Sequence, residues 1–339
     1  MRVGLSWLLL LSAIAARPTG PVPVLPNCLP NGTASLRRIE GLPASGVEAQ
    51  IDVAFLDTRR SVNVSAIRNA AALVNTSRVR FHLLVRYPQV DTQGFLVTML
   101  SMHSHGACLY KNMARISHGP GPQYLYKPLL HYVMPAAVER LIVLDTDIVL
   151  VRNVHELYDE FDRFGPEAVV GIANEQTTVY SPMVGKNGGV QLLHIARMRT
   201  SDAYARALDT IASGRYDKWI GFLGDQTLYT FLAHDFSSLT HQLPCHWNRQ
   251  LNFAFSPMNR TLHACPFPCG ILHANHGKLK CLAKYMHERS ASCSALNAFR
   301  TGLTNRSMAV KSCPPKLQKG GGIFLSNWLT AHFGDCCVQ

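Results

Sequence analysis

Short apolar runs and longer stretches with helical spacing alternate along the chain from about residue 50 onward. Runs of about four to eight apolar residues are typical of strands, whereas apolar positions three or four residues apart are typical of helices. The pattern predicts strands at Ile51 to Leu56, Val79 to Val85, Ala168 to Ala173 and Val190 to Ile195, and a further strand that begins at Leu141 and has Asp145 and Asp147 at its end. It predicts helices through Ala66, Ala70 and Leu73, and at Phe95 to Met102, Tyr124 to Met134, Leu157 to Phe164, Ala196 to Ile211 and Asp225 to Ala233.

Strands that alternate with helices predict an α/β fold, in which a mostly parallel sheet is covered by helices on both faces. Ligands of such sheets bind at the carboxyl ends of the strands. The chain has 339 residues, a length that fits one large catalytic domain over residues 50–339 with a leader before it. An apolar fraction of 47% against 16% charged residues is enough for a substantial core and excludes a disordered chain.

The first residues have the pattern of a secretory leader. Arg2 precedes the apolar run from Leu5 to Ala16, with small residues at its end. We expect residues 1–16 to be a signal peptide, with a short membrane signal anchor as the alternative. Residues 17–49 read as a proline-rich stem, because closely spaced prolines disfavour both helix and central strand: Pro18, Pro21, Pro23, Pro26 and Pro30.

Cysteines and glycosylation sequons also indicate the lumen of the endoplasmic reticulum or Golgi. Eight of the ten cysteines lie from Cys245 onward, so disulfides of unknown pairing are expected in the C-terminal part. A zinc site at Cys265 and Cys269 is disfavoured, because no second close pair of the same kind accompanies it. Five Asn-x-Ser/Thr sequons fit the same compartment: Asn31, Asn63, Asn75, Asn259 and Asn305.

The net charge of +12 narrows the possible partners. A lumenal address excludes nucleic acid, so phosphate groups or acidic glycans are the better candidates for a basic surface. A soluble surface with scattered lysines and arginines accounts for the charge equally well.

Asp145 and Asp147 follow the apolar run Leu141 to Leu144 and predict a metal site. Residues at i and i+2 of a strand point the same way, so the two carboxylates would face one cation. A cation between them would relieve the repulsion of two like charges. Ordinary turn or helix-cap residues are the alternative, since aspartate is common at both places.

An ordered series of motifs surrounds the two aspartates. The motifs are Lys127, Leu144 to Asp147, Asn187 to Val190, Gly224 to Gln226, Cys245 to Gln250, and Ile271 to Asn275. In this order they resemble glycosyltransferase family 8 over about Gln50 to Lys280. The nearest branch is that of the xyloside xylosyltransferases, and the LARGE-type xylosyltransferase domains are the second match. Glu156 to Phe161, Leu223 to Gln226 and Trp247 to Leu251 favour the nearest branch.

The resemblance implies a GT-A fold, a UDP-xylose donor and Mn²⁺ held by Asp145, Asp147 and His273. Carboxylates suit Mg²⁺ or Mn²⁺, and one imidazole shifts the preference toward Mn²⁺. The resemblance implies donor contacts from Lys127, Asp145, Thr146, Asn187, Gly189, Asn275, Lys278 and Lys280. Both lysines after His273 stay candidates for the phosphate contact, because this chain has one residue more than the family spacing before Gly277.

The resemblance also assigns the reaction centre. Asp225 would bind donor hydroxyls, with helix capping as the alternative, and Gln226 would lie near the anomeric carbon. A glutamine is a poor nucleophile, which favours retention of configuration by front-face substitution. An acceptor would contact Trp247, Asn248 and Arg249, with a core position for Trp247 as the alternative. The nearest branch implies xylosyl-glucose on epidermal-growth-factor-like repeats as that acceptor.

Other functional classes stay open at this level. Asp145-x-Asp147 also resembles the nucleophile motif of haloacid-dehalogenase phosphatases, although a later paired-acid motif is missing. A LARGE-like transferase with another glycan acceptor is a nearer alternative. A non-catalytic glycan-binding module on the same fold is a third, since a fold alone does not fix a function.

Overall fold

A computed structural model describes residues 51–57, 78–85, 96–99, 122–176, 183–212, 224–250, 265 and 268–273. The predicted leader, the stem and the helix through Ala66, Ala70 and Leu73 lie outside these residues. None of the described helices is long and apolar enough to cross a membrane.

A seven-stranded sheet and a three-stranded sheet organise the described chain. The strands are β1 Ile51–Asp57, β2 Val79–Val85, β3 Leu96–Met99, β4 Leu141–Leu144, β5 Ile148–Leu150, β6 Val170–Asn174, β7 Lys186–Leu193, β8 Thr240–Gln242, β9 Arg249–Gln250 and β10 Ile271–His273. The large sheet has the order β3-β2-β1-β4-β7-β6-β8 and the small sheet the order β5-β10-β9. In the large sheet only β7 runs antiparallel to its neighbours, so the predicted α/β fold with a mostly parallel sheet is confirmed.

Short helices connect the strands. They are α1 Leu130–Val133, α2 Val154–Tyr158, α3 Ile195–Thr200, α4 Asp202–Ala212 and α5 Asp225–Asp235. The 3₁₀ segments are Pro122–Leu129, Asp159–Arg163, Ser237–Leu239 and Cys245–Asn248. The helix predicted at Tyr124 to Met134 is mostly 3₁₀, and Pro128 within it has no backbone N–H to donate to an α-helical hydrogen bond.

The helix predicted at Phe95 to Met102 is wrong. Residues Leu96–Met99 form β3, which pairs in parallel with β2 at the edge of the large sheet. A short apolar run is ambiguous between helix and strand, and the β-branched Val97 and Thr98 favour the strand. The helix predicted at Ala196 to Ile211 is divided, because Ser201 is extended between α3 and α4.

The large sheet separates two apolar clusters, as the alternation of side chains along its strands requires. Leu84, Leu141 and Val143 face a cluster with residues of α1, α3, α4 and α5. Leu83, Ile142 and Leu144 face a second cluster that contains residues of α2 together with Trp247. The sheet is thus covered on both faces, and polar groups collect at the ends of its strands.

At the amino end of the sheet, Asp52 on β1 forms a small ionic cluster with Arg80 and His82 on β2. The Asp52 carboxylate lies 2.8 Å from Arg80 Nη2 and 2.6 Å from His82 Nε2. Burial acts to raise the pKa of Asp52, but hydrogen bonds from His82 and Arg80 outweigh it and lower that pKa. The buried carboxylate is therefore balanced by groups of the protein itself.

A disulfide joins Cys245 to Cys265, and Cys269 is also disulfide-bonded. The prediction of disulfides in the C-terminal part is confirmed for these cysteines, and the zinc alternative at Cys265 and Cys269 is wrong. Cys245 begins the 3₁₀ segment before β9, whereas Cys265 precedes β10. The link therefore connects the approaches to two neighbouring strands of the small sheet.

Candidate metal centre

Asp145 and Asp147 lie in the turn between β4 and β5, just beyond the carboxyl end of β4. The expectation that strand alternation aligns them is wrong, since neither belongs to a strand. The turn is anchored by the Asp145 N–H, which donates to the carbonyl oxygen of Gly189 at 2.9 Å. The two carboxylates are therefore brought together by a turn fixed to β7.

His273 reaches the same place from the small sheet. It ends β10, which runs antiparallel to β5 and pairs His273 with Ile148, the residue after Asp147. His273 Nε2 lies 3.4 Å from Asp147 Oδ1 and 3.8 Å from Asp145 Oδ2. The three ligand atoms lie within 4.8 Å of one another, so these side chains could hold one metal ion.

The chemistry of this group fits a divalent cation. Burial acts to lower the pKa of His273, but Asp147 and Asp145 outweigh it and raise that pKa, so the pair of carboxylates attracts positive charge to the ring. Two carboxylate oxygens and one imidazole nitrogen are ligands that several divalent cations accept, Mn²⁺ among them. The three predicted ligands are thus brought together with a suitable donor set.

Two adjacent glycines on β7 make room for this arrangement. A Cβ on Gly189 would overlap the His273 ring and lie 2.6 Å from its Nε2. A Cβ on Gly188 would lie 2.6 Å from Asp225 Oδ2. Each glycine therefore allows one functional side chain to lie directly against the strand.

Lys127 connects Asp145 with Asp225. Its ammonium lies 2.7 Å from Asp145 Oδ1, 2.8 Å from the Gly188 carbonyl oxygen and 3.3 Å from Asp225 Oδ2. Burial acts to lower the pKa of Lys127, but Asp145 and Asp225 outweigh it and raise that pKa. This side chain is only 1% exposed, and its ammonium can donate to both carboxylates at once and so hold them in place. Donor contact by Lys127 stays a prediction.

Asp225 is the first residue of α5 and does not cap it, because the N-cap is Gly224. Gly224 has a φ of 62°, a conformation that favours glycine. The Asp225 side chain turns inward, where Gln191 Nε2 donates to its Oδ2 at 2.7 Å. Burial raises the pKa of Asp225 to about 6, although Lys127 opposes the shift. Lys127 and Gln191 thus both contact Oδ2 of this carboxylate.

Gln226 and Asn187 share one hydrogen-bond acceptor, Glu175, which the sequence motifs do not include. Both side-chain amides donate to Glu175 Oε2, each at 2.8 Å. Glu175 directly follows β6, and Gln191 lies within β7. Glu175 could have been suspected from the polar residues after the apolar run Ala168 to Ala173. Gln191 gave no such signal, because it interrupts an otherwise apolar strand.

The residues predicted to bind an acceptor are buried. Trp247 is 2% exposed, donates from Nε1 to Glu160 at 3.2 Å and packs in the second apolar cluster, as the core alternative expects. Asn248 bonds to Asn187 and His273, and Arg249 is 6% exposed. Acceptor contact by these three residues stays a prediction that their burial does not support.

Of the remaining residues predicted to contact the donor, two lie in the site and three lie outside the described residues. Thr146 lies in the turn between Asp145 and Asp147, and Gly189 lies against His273. Asn275, Lys278 and Lys280 lie outside the described residues. Their roles stay predictions.

The chain matches known proteins in sequence over part of its length. Mouse xyloside xylosyltransferase 1 is 33% identical over 175 residues, which are 43% of this chain and 45% of that protein. Human LARGE1, a xylosyl- and glucuronyltransferase, is 31% identical over 147 residues, which are 40% of this chain and 19% of that protein. The matched region thus spans less than half the length of these relatives. No protein family model matches the chain.

Solved structures show the fold. The apo crystal structure of mouse xyloside xylosyltransferase 1 matches with a TM-score of 0.53 at 23% identity, over 67% of this chain and 98% of that one. The galactosyltransferase LgtC, in complex with donor and acceptor sugar analogs, matches with a TM-score of 0.52 at 15% identity, over 79% of this chain and 99% of that one. The haloacid-dehalogenase alternative is therefore wrong, and the GT-A prediction is confirmed. Part of the chain is therefore similar in sequence to xyloside xylosyltransferase 1 and to the LARGE xylosyl- and glucuronyltransferases, and the chain has the GT-A fold of glycosyltransferases.

Proposed function

We propose that this protein is an Mn²⁺-dependent, retaining glycosyltransferase that moves xylose from UDP-xylose to a xylosyl-glucose glycan on epidermal-growth-factor-like repeats. The observation that carries the proposal is the group of Asp145, Asp147 and His273, with the Lys127–Asp225 pair beside it. Homology to xylosyltransferases supports xylose as the sugar.

Asp145, Asp147 and His273 would hold the cation. When bound there, Mn²⁺ supplies Lewis-acid stabilisation of the diphosphate leaving group, so no strong protein acid is needed. The chain supports that task by keeping His273 in one orientation, because Asn248 Oδ1 lies 2.9 Å from His273 Nδ1. Asn248 Nδ2 donates to Asn187, so Asn248 Oδ1 accepts a hydrogen bond from the His273 Nδ1–H, which leaves His273 Nε2 to bind the metal.

Asp225 and Gln226 would act on the sugar itself. Asp225 accepts a donor hydroxyl on Oδ1, while Lys127 and Gln191 hold Oδ2. Gln226 is neutral and offers an amide dipole to the oxocarbenium-like centre. The acceptor hydroxyl attacks on the face from which the phosphate leaves. The leaving phosphate takes the acceptor proton, which gives retention without a covalent sugar–enzyme intermediate.

The cellular setting proposed is the lumen of the endoplasmic reticulum or Golgi. The Cys245–Cys265 disulfide supports an oxidising compartment. Epidermal-growth-factor-like repeats are themselves disulfide-dense modules made in such a compartment.

A panel of UDP-sugars tests the donor. Hydrolysis without acceptor is measured for each UDP-sugar with Mn²⁺, with Mg²⁺ and with a chelator. We expect UDP-xylose with Mn²⁺ to give the highest rate, because a donor site fitted to xylose would clash with the hydroxymethyl group of UDP-glucose. Binding of glycans without hydrolysis of any donor would favour the non-catalytic module and reject the proposal.

A second panel tests the acceptor. Transfer is measured to a folded repeat bearing xylosyl-glucose, to the same repeat bearing glucose alone and to a free glucuronyl-xylose glycan. We expect the first to be preferred. Preference for the third would favour the LARGE-like alternative.

A further inference from the structure

Glu175 is the point at which two functional side chains are joined by hydrogen bonds. Gln226 Nε2 donates to Glu175 Oε2 from one side, and Asn187 Nδ2 donates to the same oxygen from the other. From Asn187 the bonds continue through Asn248 to His273 Nδ1, with distances of 2.9 Å at both steps. One carboxylate thus connects the predicted reaction centre with the predicted metal ligand.

A carboxylate at this position fixes which atom of each amide points toward it. An ionised carboxylate only accepts hydrogen bonds, so Asn187 and Gln226 must both present their NH₂ groups to it. Asn187 is held a second time, because its Oδ1 accepts from the Gly189 N–H at 3.0 Å. Among the described residues, the Gln226 amide is recorded only with Glu175. The orientation of Gln226 therefore depends on Glu175 more than that of Asn187 does.

We infer that Glu175 is a positioning residue for Gln226, which makes the glutamine present Oε1, and not its NH₂ group, to the reaction centre. This inference rests on the proposed function and deepens it. An amide oxygen carries partial negative charge and stabilises an oxocarbenium-like centre, whereas an amide NH₂ group turned the same way opposes it. Rotation of one amide by half a turn would reverse the sign of the dipole at the reacting carbon.

Glu175 is itself held firmly enough for this task. Its side chain is buried, with 2% of the residue exposed, and its N–H donates to the Gly185 carbonyl oxygen at 2.8 Å. The next residue, Gln176, exchanges two hydrogen bonds with Gln250, at 2.9 and 3.0 Å. Gln250 is the strand partner of His273 in the small sheet. Glu175 is thus fixed to the same framework as the metal site.

A double-mutant cycle tests the dependence. Glu175→Ala is expected to lower kcat by about 10- to 100-fold, the scale for losing a group that orients a functional side chain, with KM for the donor unchanged. In a Gln226→Ala background the same change is expected to lower kcat by less than about 3-fold, because its target has gone. Equal losses in both backgrounds would overturn the inference, as would an unchanged kcat in the single variant.

A second readout needs neither donor nor metal. The side-chain NH₂ signal of Gln226 in NMR spectra is assigned by its loss in Gln226→Ala, and its hydrogen exchange is measured in the metal-free protein. We expect slow exchange in the native chain, fast exchange in Glu175→Ala and partial protection in Glu175→Gln, since an amide oxygen can still accept. Identical exchange in the native chain and Glu175→Ala would overturn the inference.

The controls separate this inference from the proposed function. Asp52→Ala removes another buried carboxylate at the far end of the sheet and is expected to leave kcat and the Gln226 signal unchanged. Mn²⁺ affinity, measured by calorimetry with the metal alone, is expected to be unchanged in Glu175→Ala, because Gly189 still holds Asn187. If no UDP-sugar is turned over by the native chain, the proposed function fails, while the exchange experiment still decides the role of Glu175.

Discussion

The two ends of the large sheet bury charge in opposite ways. At the amino end, Asp52 is enclosed between Arg80 and His82, and both partners come from the neighbouring strand. At the carboxyl end, the contacts among the described residues link four carboxylates with Lys127 and His273: Asp145, Asp147, Glu175 and Asp225. A balanced cluster satisfies its charges within the protein, whereas an excess of negative charge favours the binding of a cation.

The largest expected effect comes from removing charge at the carboxyl end. Asp147→Asn should lower kcat by at least about 10³-fold, because cation assistance is worth several kcal/mol. The free energy of unfolding should stay the same or rise, since one of two repelling carboxylates is lost. Donor hydrolysis at increasing Mn²⁺ and urea denaturation measure the two quantities.

Asp162→Asn is the matched control, because that carboxylate is 71% exposed and lies away from the site, paired with Arg140. It should leave turnover unchanged. Near-normal activity of Asp147→Asn at saturating Mn²⁺ would make the metal assignment wrong.

Gln226→Ala is the next largest expected effect. It removes a neutral dipole without changing the charge of the cluster, and it should lower kcat by about 10²- to 10³-fold, the scale for one transition-state group. Single-turnover kinetics with UDP-xylose measure the change. A sugar trapped covalently on any side chain during the normal cycle would contradict front-face substitution.

Alanine substitutions at Gly188 and Gly189 of β7 form a matched pair with smaller expected effects on activity. Gly189→Ala pushes on the His273 ring and should weaken Mn²⁺ binding by about 10- to 100-fold, the scale for misplacing a metal ligand. Gly188→Ala pushes on Asp225 and should raise KM for the donor while leaving Mn²⁺ affinity unchanged. Metal calorimetry and donor kinetics on both variants decide whether the glycines have these separate roles. The same loss of Mn²⁺ affinity in both would argue against them.

The smallest expected effect on turnover comes from the amino end. Asp52→Asn should leave kcat unchanged but lower the free energy of unfolding by about 1–3 kcal/mol at pH 7, because Arg80 and His82 lose their anionic partner. The pKa of Asp52 is lowered in the fold, so its contribution is present above the unfolded pKa of about 3.9 and is lost as pH falls through the folded value. Urea denaturation from pH 7 to pH 3 measures the difference between the two chains. A difference that grows on acidification would contradict this account.

The two ends also differ in how far the sequence predicts them. The strands that bear the amino-end cluster follow directly from their apolar runs, and β2 has the predicted bounds Val79–Val85. At the carboxyl end, motif order predicts Asp145, Asp147 and His273 as one group, and the structure brings them together.

What could not be predicted is how those residues are held. Side-chain alternation fails for Asp145 and Asp147, because a turn anchored on Gly189 sets their positions. Glu175 and Gln191 form hydrogen bonds with side chains between 12 and 51 residues away in the sequence. A local sequence pattern does not predict such long-range hydrogen bonds. Trp247 is placed in the core by Gly270, which leaves space for the indole ring, a packing relation that no short motif records.

The disulfide between Cys245 and Cys265 has a practical consequence for preparing the protein. It closes a loop with a sequence separation of 20 between the segment that carries Asn248 and the strand that carries His273. Closing a loop of this size stabilises a fold by about 3 kcal/mol. Protein produced in a reducing host lacks this disulfide, and its free energy of unfolding is lower by about that amount. Inactivity of such a preparation would be explained by the missing disulfide. Only protein folded in an oxidising compartment tests the roles of the site residues.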